Sequence, residues 1–359
     1  MEAICQISLE ALENNYRYFQ NRVAPARVIP VVKANAYGHG AIRVTEHLKK
    51  TFAVNTFAVA TLEEARELAE VLDDISILIF SRVFPSELNH LPAKAILSIG
   101  SMEDARAIQQ VSSEQIKVHL NINTGMNRLG VTLEEALALL SESTSCLDVV
   151  GVYSHFSSSD TANEKVYKAQ NTRFDTISKT LMESGYSGEF HLSNSAAALH
   201  EDQNIFDAIR LGIGLYGYDT TPYQGHKGVL KPVMEVQAPL VRVEQVRAGE
   251  SVSYGEKWQA AMNTNVGTLR MGYADGYNRL LTNRGYVSYG DKIYPVIGTV
   301  TMDHIMIDLG EDIPETGQMF TVMGGGFVET KINTISRNLN TIPYEVCCAI
   351  ASRVKRYYL

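Results

Sequence analysis

The sequence predicts an α/β protein: an N-terminal (β/α)8 barrel of the TIM type over residues 1–230, followed by a mostly β domain over residues 231–359. Three observations predict it. Short apolar segments alternate with amphipathic helical stretches through the first half and beyond, eight strands in the length such a barrel needs. No Gly-rich fingerprint follows the first strand, as it usually does in a doubly wound sheet. After about residue 230 the helical periodicity gives way to strands and turns. A chain of 359 residues with 45% apolar content can bury the cores of two domains.

The barrel strands read as residues 28–32 (VIPVV), 56–60 (TFAVA), 75–80 (ISILIF), 95–99 (AILSI), 116–122 (IKVHLNI), 148–154 (DVVGVYS), 189–192 (EFHL) and 207–210 (DAIR). Helices fall between them. "TLEE" at Thr61–Glu64, "SMED" at Ser101–Asp104 and "TLEE" at Thr132–Glu135 read as helix starts, each with a capping hydroxyl and an acid three residues on. In the second domain, "VMEVQAPLVRVEQVRAGE", "TNVGTLRMGYADGY" and "YVSYGDKIYPVIGTVTMDHIMIDLG" read as strands and turns, and "PYEVCCAIASRV" as a short closing helix.

Composition excludes several classes of partner. The formal charge is −8, and no basic run or basic helix face stands out, so neither nucleic acid nor an anionic membrane is an expected partner. Cys5, Cys146, Cys347 and Cys348 show no metal-ligand spacing, and reduced thiols in a cytoplasm fit them best. The segment "MEAICQISLE" has no basic start and no apolar core, and no apolar run is long enough to cross a bilayer.

On a barrel, chemistry sits at the C-terminal ends of the strands. Lys33 follows strand 28–32, Arg128 lies in the loop after 116–122, and His155 follows 148–154. Asn194 and Ser195 follow 189–192, and Arg210 closes the last strand, with "LGIG" after it. Each has a bland reading alone: Lys33 in "VVKANAYGHG" can be a solvated lysine before a glycine turn, and His155 a hydrogen-bonded structural histidine. Five strand ends aimed at one rim make the functional reading the stronger. Lysine is seldom buried unless paired or used, and a neutral amine forms a Schiff base with a carbonyl. A rim lysine, an imidazole platform, an arginine and a Gly-rich loop suit pyridoxal 5'-phosphate. Ser195 and the amides of Leu211–Gly214 can hold its phosphate. Arg210 facing the ring nitrogen would not protonate it, which weakens the electron sink and restrains transamination. Tyrosines in strands are usually half-buried packing residues, so spacing alone assigns no catalytic role to Tyr254.

These motifs, with "TGMNRLG" (124–130), "SHF" (154–156), "SNSAA" (193–197), "RLGIGLYG" (210–217), "VSYGEKW" (252–258), "MGYADGY" (271–277), "TMDHIMIDLG" (301–310) and "PYEV" (343–346), run through nearly the whole chain. In this order they resemble the bacterial alanine racemases, fold-type III enzymes that use pyridoxal phosphate. The resemblance implies a head-to-tail homodimer with shared active sites and an amino-acid substrate. Lys33 would hold the cofactor and act as the base for the D-enantiomer, and Tyr254 of the other subunit as the base for the L-enantiomer. Tyr37, Ser195, Gly212, Ile213 and Tyr344 would hold the phosphate, and Arg210 would meet the pyridine nitrogen. His155 and Asn194 would complete the cofactor site. Arg128 and Met302 would bind the substrate carboxylate, with Tyr273 at the entrance. The product would be D-alanine for bacterial peptidoglycan.

One block departs from the family. Many members read "KxDTGM", with a carbamylated lysine that steadies the arginine; this chain reads "NINTGM", with Asn121 and Asn123. Asparagine cannot be carbamylated, so a small anion such as chloride, or the asparagine carbonyl, is expected beside Arg128. A freer Arg128 also leaves open a serine-preferring or broad-specificity racemase. A fold-type III decarboxylase is disfavoured because Cys347–Cys348 lacks the sequence context of that group. A non-catalytic cofactor-binding protein is disfavoured by the second domain and Tyr254.

Overall fold

The computed structural model describes residues 1–141, 146–200, 205–221 and 228–359. The chain divides into two compact units. One comprises Leu12–Ala36 and Ala41–Lys231; the other comprises Met1–Ala11, Tyr37–Gly40 and Pro232–Leu359.

The first unit is the barrel. Its eight parallel strands are Arg27–Pro30, Thr56–Val59, Ser76–Ile79, Ala95–Ile99, Ile116–Asn121, Leu147–Tyr153, Glu189–His191 and Ala208–Leu211. Neighbours in sequence pair in space, and the last strand pairs with the first through Val28–Ile209 and Ile29–Arg210. A parallel bridge between Val31 and Ala58 closes the ring, with the Val32 amide donating to the Ala58 carbonyl at 2.8 Å. Such strands are covered on both faces, which is why they read as unbroken apolar runs. Thr56–Val59 is buried at every position.

The helices pack by a stripe of residues three or four apart. Ala41–Phe52 buries Val44 and Leu48, Leu62–Ala69 buries Ala65 and Leu68, and Met102–Val111 buries Ala105 and Ile108. All three cap signals form: Thr61, Ser101 and Thr132 each accept the amide three residues on, at 3.3, 3.1 and 3.2 Å. Two connections differ from the expected helices. Only a 3-10 turn, Pro85–His90, lies between the third and fourth strands, and only Ala197–Leu199 is a helical turn among the described residues between the last two.

The second unit is a sheet of eight strands built around Met234–Val246, which pairs antiparallel with Thr264–Leu269 and Met319–Met323. The sequence reading places no strand at Ile4–Ile7, yet these residues pair antiparallel with Met234–Gln237 and parallel with Lys355–Tyr358. The closing helix stops at Cys348, and the chain ends as that strand. Ile7 is fully buried there. Replacing Ile7 with Ala should cost about 2–5 kcal/mol. Hydrogen exchange should then quicken first in Met234–Val246 and Lys355–Tyr358; quickening confined to the barrel strands would contradict the assignment.

Candidate active site

The site is built on the ends of the barrel strands. Just past the first strand, Lys33 opens a turn in which Ala34, Asn35, Ala36 and Tyr37 all take left-handed backbone angles, with φ between 51° and 54°. Each such residue other than glycine costs about 1–2 kcal/mol, asparagine least. The turn is therefore held from outside. The Ala36 amide donates to the Val32 carbonyl at 2.8 Å, the Ala41 amide to Asn35 Oδ1 at 2.8 Å, and the Ala34 amide to Glu64 Oε1 at 2.6 Å. Tyr216 Oη donates to the Val31 carbonyl at 2.9 Å and ties the end of the strand to the Gly-rich turn.

Arg210 lies 3% exposed inside the barrel. Its Nη1 donates to His191 Nδ1 at 2.6 Å and to the His191 carbonyl at 3.1 Å. Its Nη2 donates to the carbonyls of Ser154 at 2.6 Å and Leu192 at 2.9 Å, and to His155 Nδ1 at 3.2 Å. No Nε–H partner is present among the described residues, so that donor remains for a ligand. The guanidinium also lies 5.0 Å from the Tyr153 ring centroid, and that ring stacks on His191 at 5.1 Å and 4°.

This pattern fixes the histidine tautomers. Arginine only donates, so His191 Nδ1 carries a lone pair and Nε2 the proton. His191 Nε2 then donates to His119 Nδ1 at 2.8 Å. His119 packs flat on Gly151, where an added Cβ would meet its ring at 2.5 Å. Sequence reasoning missed His119, His191 and Tyr153. A histidine in an otherwise apolar parallel strand, as in "IKVHLNI", is the signal for them.

The Gly-rich turn meets Ser195, whose Oγ accepts the amides of Gly212 at 2.9 Å and Gly214 at 3.1 Å. Its own O–H stays available to donate. A Cβ on Gly214 would stand 2.7 Å from Phe19 Cζ, so glycine alone permits this approach. The Ile213 amide, first in the turn Ile213–Tyr216, has no partner within it. Asn194 Oδ1 accepts Ser159 Oγ and the Ala197 amide, both at 3.0 Å, and shapes the neighbouring turn. Arg128 is exposed and forms no hydrogen bond or ion pair among the described residues, while Asn123 Oδ1 is taken by the amides of Gly125 and Asn127. Lys33, Arg128 and Arg210 all act electrostatically on His155. This rim suits a phosphorylated heteroaromatic ring with a carbonyl: an amine, an Nε–H for a ring nitrogen, and hydroxyl and amide donors for phosphate.

Tyr254, Tyr273, Met302, Tyr37 and Tyr344 belong to the second unit. Three turns join there. Ser253 Oγ donates to the Thr299 carbonyl and Thr299 Oγ1 to the Tyr254 carbonyl, both at 2.7 Å. The amides of Tyr273 and Ala274 donate to the carbonyls of Thr301 and Met302, both at 3.0 Å. Arg353 braces two of these turns through Asp275 at 2.6 Å and Asp303 at 2.9 Å. Tyr254 is 75% exposed, Met302 53% and Tyr273 42%. The Tyr37 and Tyr344 rings lie 5.8 Å apart.

Burial pushes His119 down to about 3, with Arg27 and Arg210 adding to it. Burial and then Arg210, Arg128 and Lys33 push His155 to about 3. His191 lies well below the usual range for the same first reason. Burial lowers Arg210 to about 10, which keeps it cationic at neutral pH. These imidazoles stay neutral in the fold but take up protons when unfolded. Their contribution to stability is complete above the ordinary value of 6.5 and is lost as pH falls from there toward 3. His119→Asn keeps an acceptor for His191 Nε2–H. Denaturant unfolding at stepped pH should show a slope below pH 6.5 that is shallower by about one proton; an unchanged slope would contradict a neutral buried His119.

Family models for the alanine racemase N-terminal domain and C-terminal domain match residues 7–220 and 233–358. An alanine racemase of Desulforamulus reducens is 35% identical over 364 residues, spanning 99% of this chain and 98% of its own length. Alanine racemase 2 of Bacillus subtilis is 33% identical over 100% of this chain and 95% of its own. The solved alanine racemase from Bartonella henselae, which has covalently bound pyridoxal phosphate, gives a TM-score of 0.90 at 28% identity over 100% of both chains. That from E. faecalis gives 0.91 at 32% identity, covering 100% of this chain and 98% of its own. The chain therefore belongs to the alanine racemase family of pyridoxal phosphate-dependent isomerases.

Proposed function

We propose that this protein interconverts L-alanine and D-alanine by a two-base mechanism and supplies D-alanine for peptidoglycan in a bacterial cytoplasm. The observation that carries the reading is the convergence of Lys33, Arg210, His155 and the Ser195–Gly212–Gly214 turn on one end of the barrel. Pyridoxal phosphate supplies, when bound, a carbonyl for Lys33 and a ring that stabilises negative charge at the substrate Cα. Lys33 Nζ holds and returns the proton on one face of Cα and Tyr254 Oη on the other. With a base on each face, a proton leaves one side and another arrives at the opposite side without reorientation of the substrate. Arg210 keeps its own proton, and would offer a hydrogen bond to the ring nitrogen of the bound cofactor without protonating it. This limits competing transamination. Ser195, Gly212 and Ile213, with Tyr37 and Tyr344, hold the phosphate, and Asn194 shapes their turn. Arg128 and the Met302 backbone take the substrate carboxylate, and Tyr273 narrows the approach toward a small side chain.

Tyr254 acts from a second copy of the chain. The exposure of Tyr254, Met302, Tyr273 and Leu280, all large apolar side chains of one unit, supports a covered face there. Cys5, Cys146, Cys347 and Cys348 form no disulfide, which agrees with a reducing, cytoplasmic compartment. That Arg128 has no ion-pair partner among the described residues supports a bound anion, chloride by preference, beside Asn121.

Optical activity tests both the reaction and the shared site. Wild-type protein with pyridoxal phosphate should abolish the rotation of L-alanine faster than that of L-serine; the reverse order would move the function to serine or broad specificity. Lys33→Ala and Tyr254→Phe should each be inactive alone. Subunits of the two variants, mixed and allowed to exchange, should regain about a quarter of wild-type activity, since half of the dimers are mixed and each has one intact site. No recovery, with exchange confirmed by mass, would contradict a site made from two subunits. Replacing chloride with a bulky anion should raise KM for alanine several-fold, and complete insensitivity would count against the anion.

A further inference from the structure

The stretch Thr61–Glu64 forms a complete capping box. Thr61 Oγ1 accepts the Glu64 amide at 3.3 Å, and Glu64 Oε2 accepts the amides of Thr61 at 3.2 Å and Ala60 at 2.7 Å. A helix cap needs no more than that. The second oxygen, Oε1, accepts the Ala34 amide at 2.6 Å, thirty positions earlier and adjacent to Lys33. Ala34 is the first of the four left-handed residues. Only Asn35 among them tolerates that conformation well, so an outside acceptor is needed where the turn begins.

We propose that Glu64 is a positioning residue for Lys33. Its carboxylate ties the turn after the first barrel strand to the helix after the second, and so fixes the backbone from which Lys33 reaches the rim. The proposal rests on the reading of Lys33 as the cofactor lysine. A carboxylate suits the task because it offers two acceptor oxygens to three amides. A carboxamide has one oxygen and one donor nitrogen, and serves the cap or the turn but not both.

Thr61→Ala is the control, because it removes the capping hydroxyl and leaves the bond to Ala34. Thr61→Ala, Glu64→Gln, Glu64→Ala and wild type are compared as holoenzymes. The measurements are Tm, hydrogen exchange of residues 31–40, the pH midpoint of the cofactor absorption band, kcat and KM. Borohydride trapping in the wild type identifies the residue that carries the cofactor. Thr61→Ala should lower Tm and leave the other quantities in place. Glu64→Ala should also speed exchange in the turn and lower kcat, each on the order of tenfold, with KM within about twofold and a shifted pH midpoint. Glu64→Gln should fall between. If Glu64→Ala behaves as Thr61→Ala does, Glu64 is a helix cap and the proposal fails. Should Glu64→Ala not fold, Glu64→Met, near in size but without either acceptor oxygen, replaces it, and wild-type exchange in its turn overturns the proposal equally. Trapping at a residue other than Lys33 would sink the cofactor-lysine reading instead, a result separable from the exchange data.

Discussion

The constraint on which the barrel site depends is the burial of Arg210. A guanidinium cannot shed its charge as a buried carboxylate or lysine can, and a buried charge is costly unless its donors are met. Here the Nη atoms are met entirely by neutral groups: two imidazoles and the carbonyls of Ser154, His191 and Leu192. Those acceptors lie at the ends of two adjacent strands, Leu147–Tyr153 and Glu189–His191, so satisfying one side chain of Ala208–Leu211 fixes the local spacing of all three. With no carboxylate among its hydrogen-bond partners, Arg210 keeps its positive field directed into the site. The nearby Glu189 is paired with Arg27.

The same constraint sets the chemistry around it. His191 and His155 must be neutral to accept from Arg210, and His119 must be neutral to accept from His191. Lys33, Arg128 and Arg210 then form a local cluster of positive charge in a chain whose formal charge is −8. A phosphate-bearing cofactor and an amino-acid carboxylate are the anions such a cluster favours. Strain accompanies it: the turn carrying Lys33 is left-handed, and bonds to Val32, Asn35 and Glu64 help to hold it there.

The barrel was readable because parallel strands covered on both faces leave continuous apolar runs, and the strand bounds agree to within a residue or two. The three helix caps at Thr61, Ser101 and Thr132 were readable because they are local. What the sequence concealed is non-local. Ile4–Ile7 is a strand only through partners at Met234–Gln237 and Lys355–Tyr358. The chain from Arg210 through His191 to His119 depends on register across the barrel. The glycines at 38 and 40 hint at an unusual turn, but Ala34, Ala36 and Tyr37 have no left-handed preference to betray it. Glu64 was legible as a cap and not as the partner of Ala34, since its two oxygens serve two different stretches of chain.

The central claim is that Arg210 remains a cation held by neutral histidines of one defined tautomer. The direct measurement is the 15N spectrum of histidine-labelled holoenzyme, with His119→Asn to assign the coupled pair. The account predicts that His119, His155 and His191 show the neutral Nε2–H pattern from about pH 5 to about pH 9. An imidazolium signal, or an Nδ1–H tautomer at His191, in that range would contradict it.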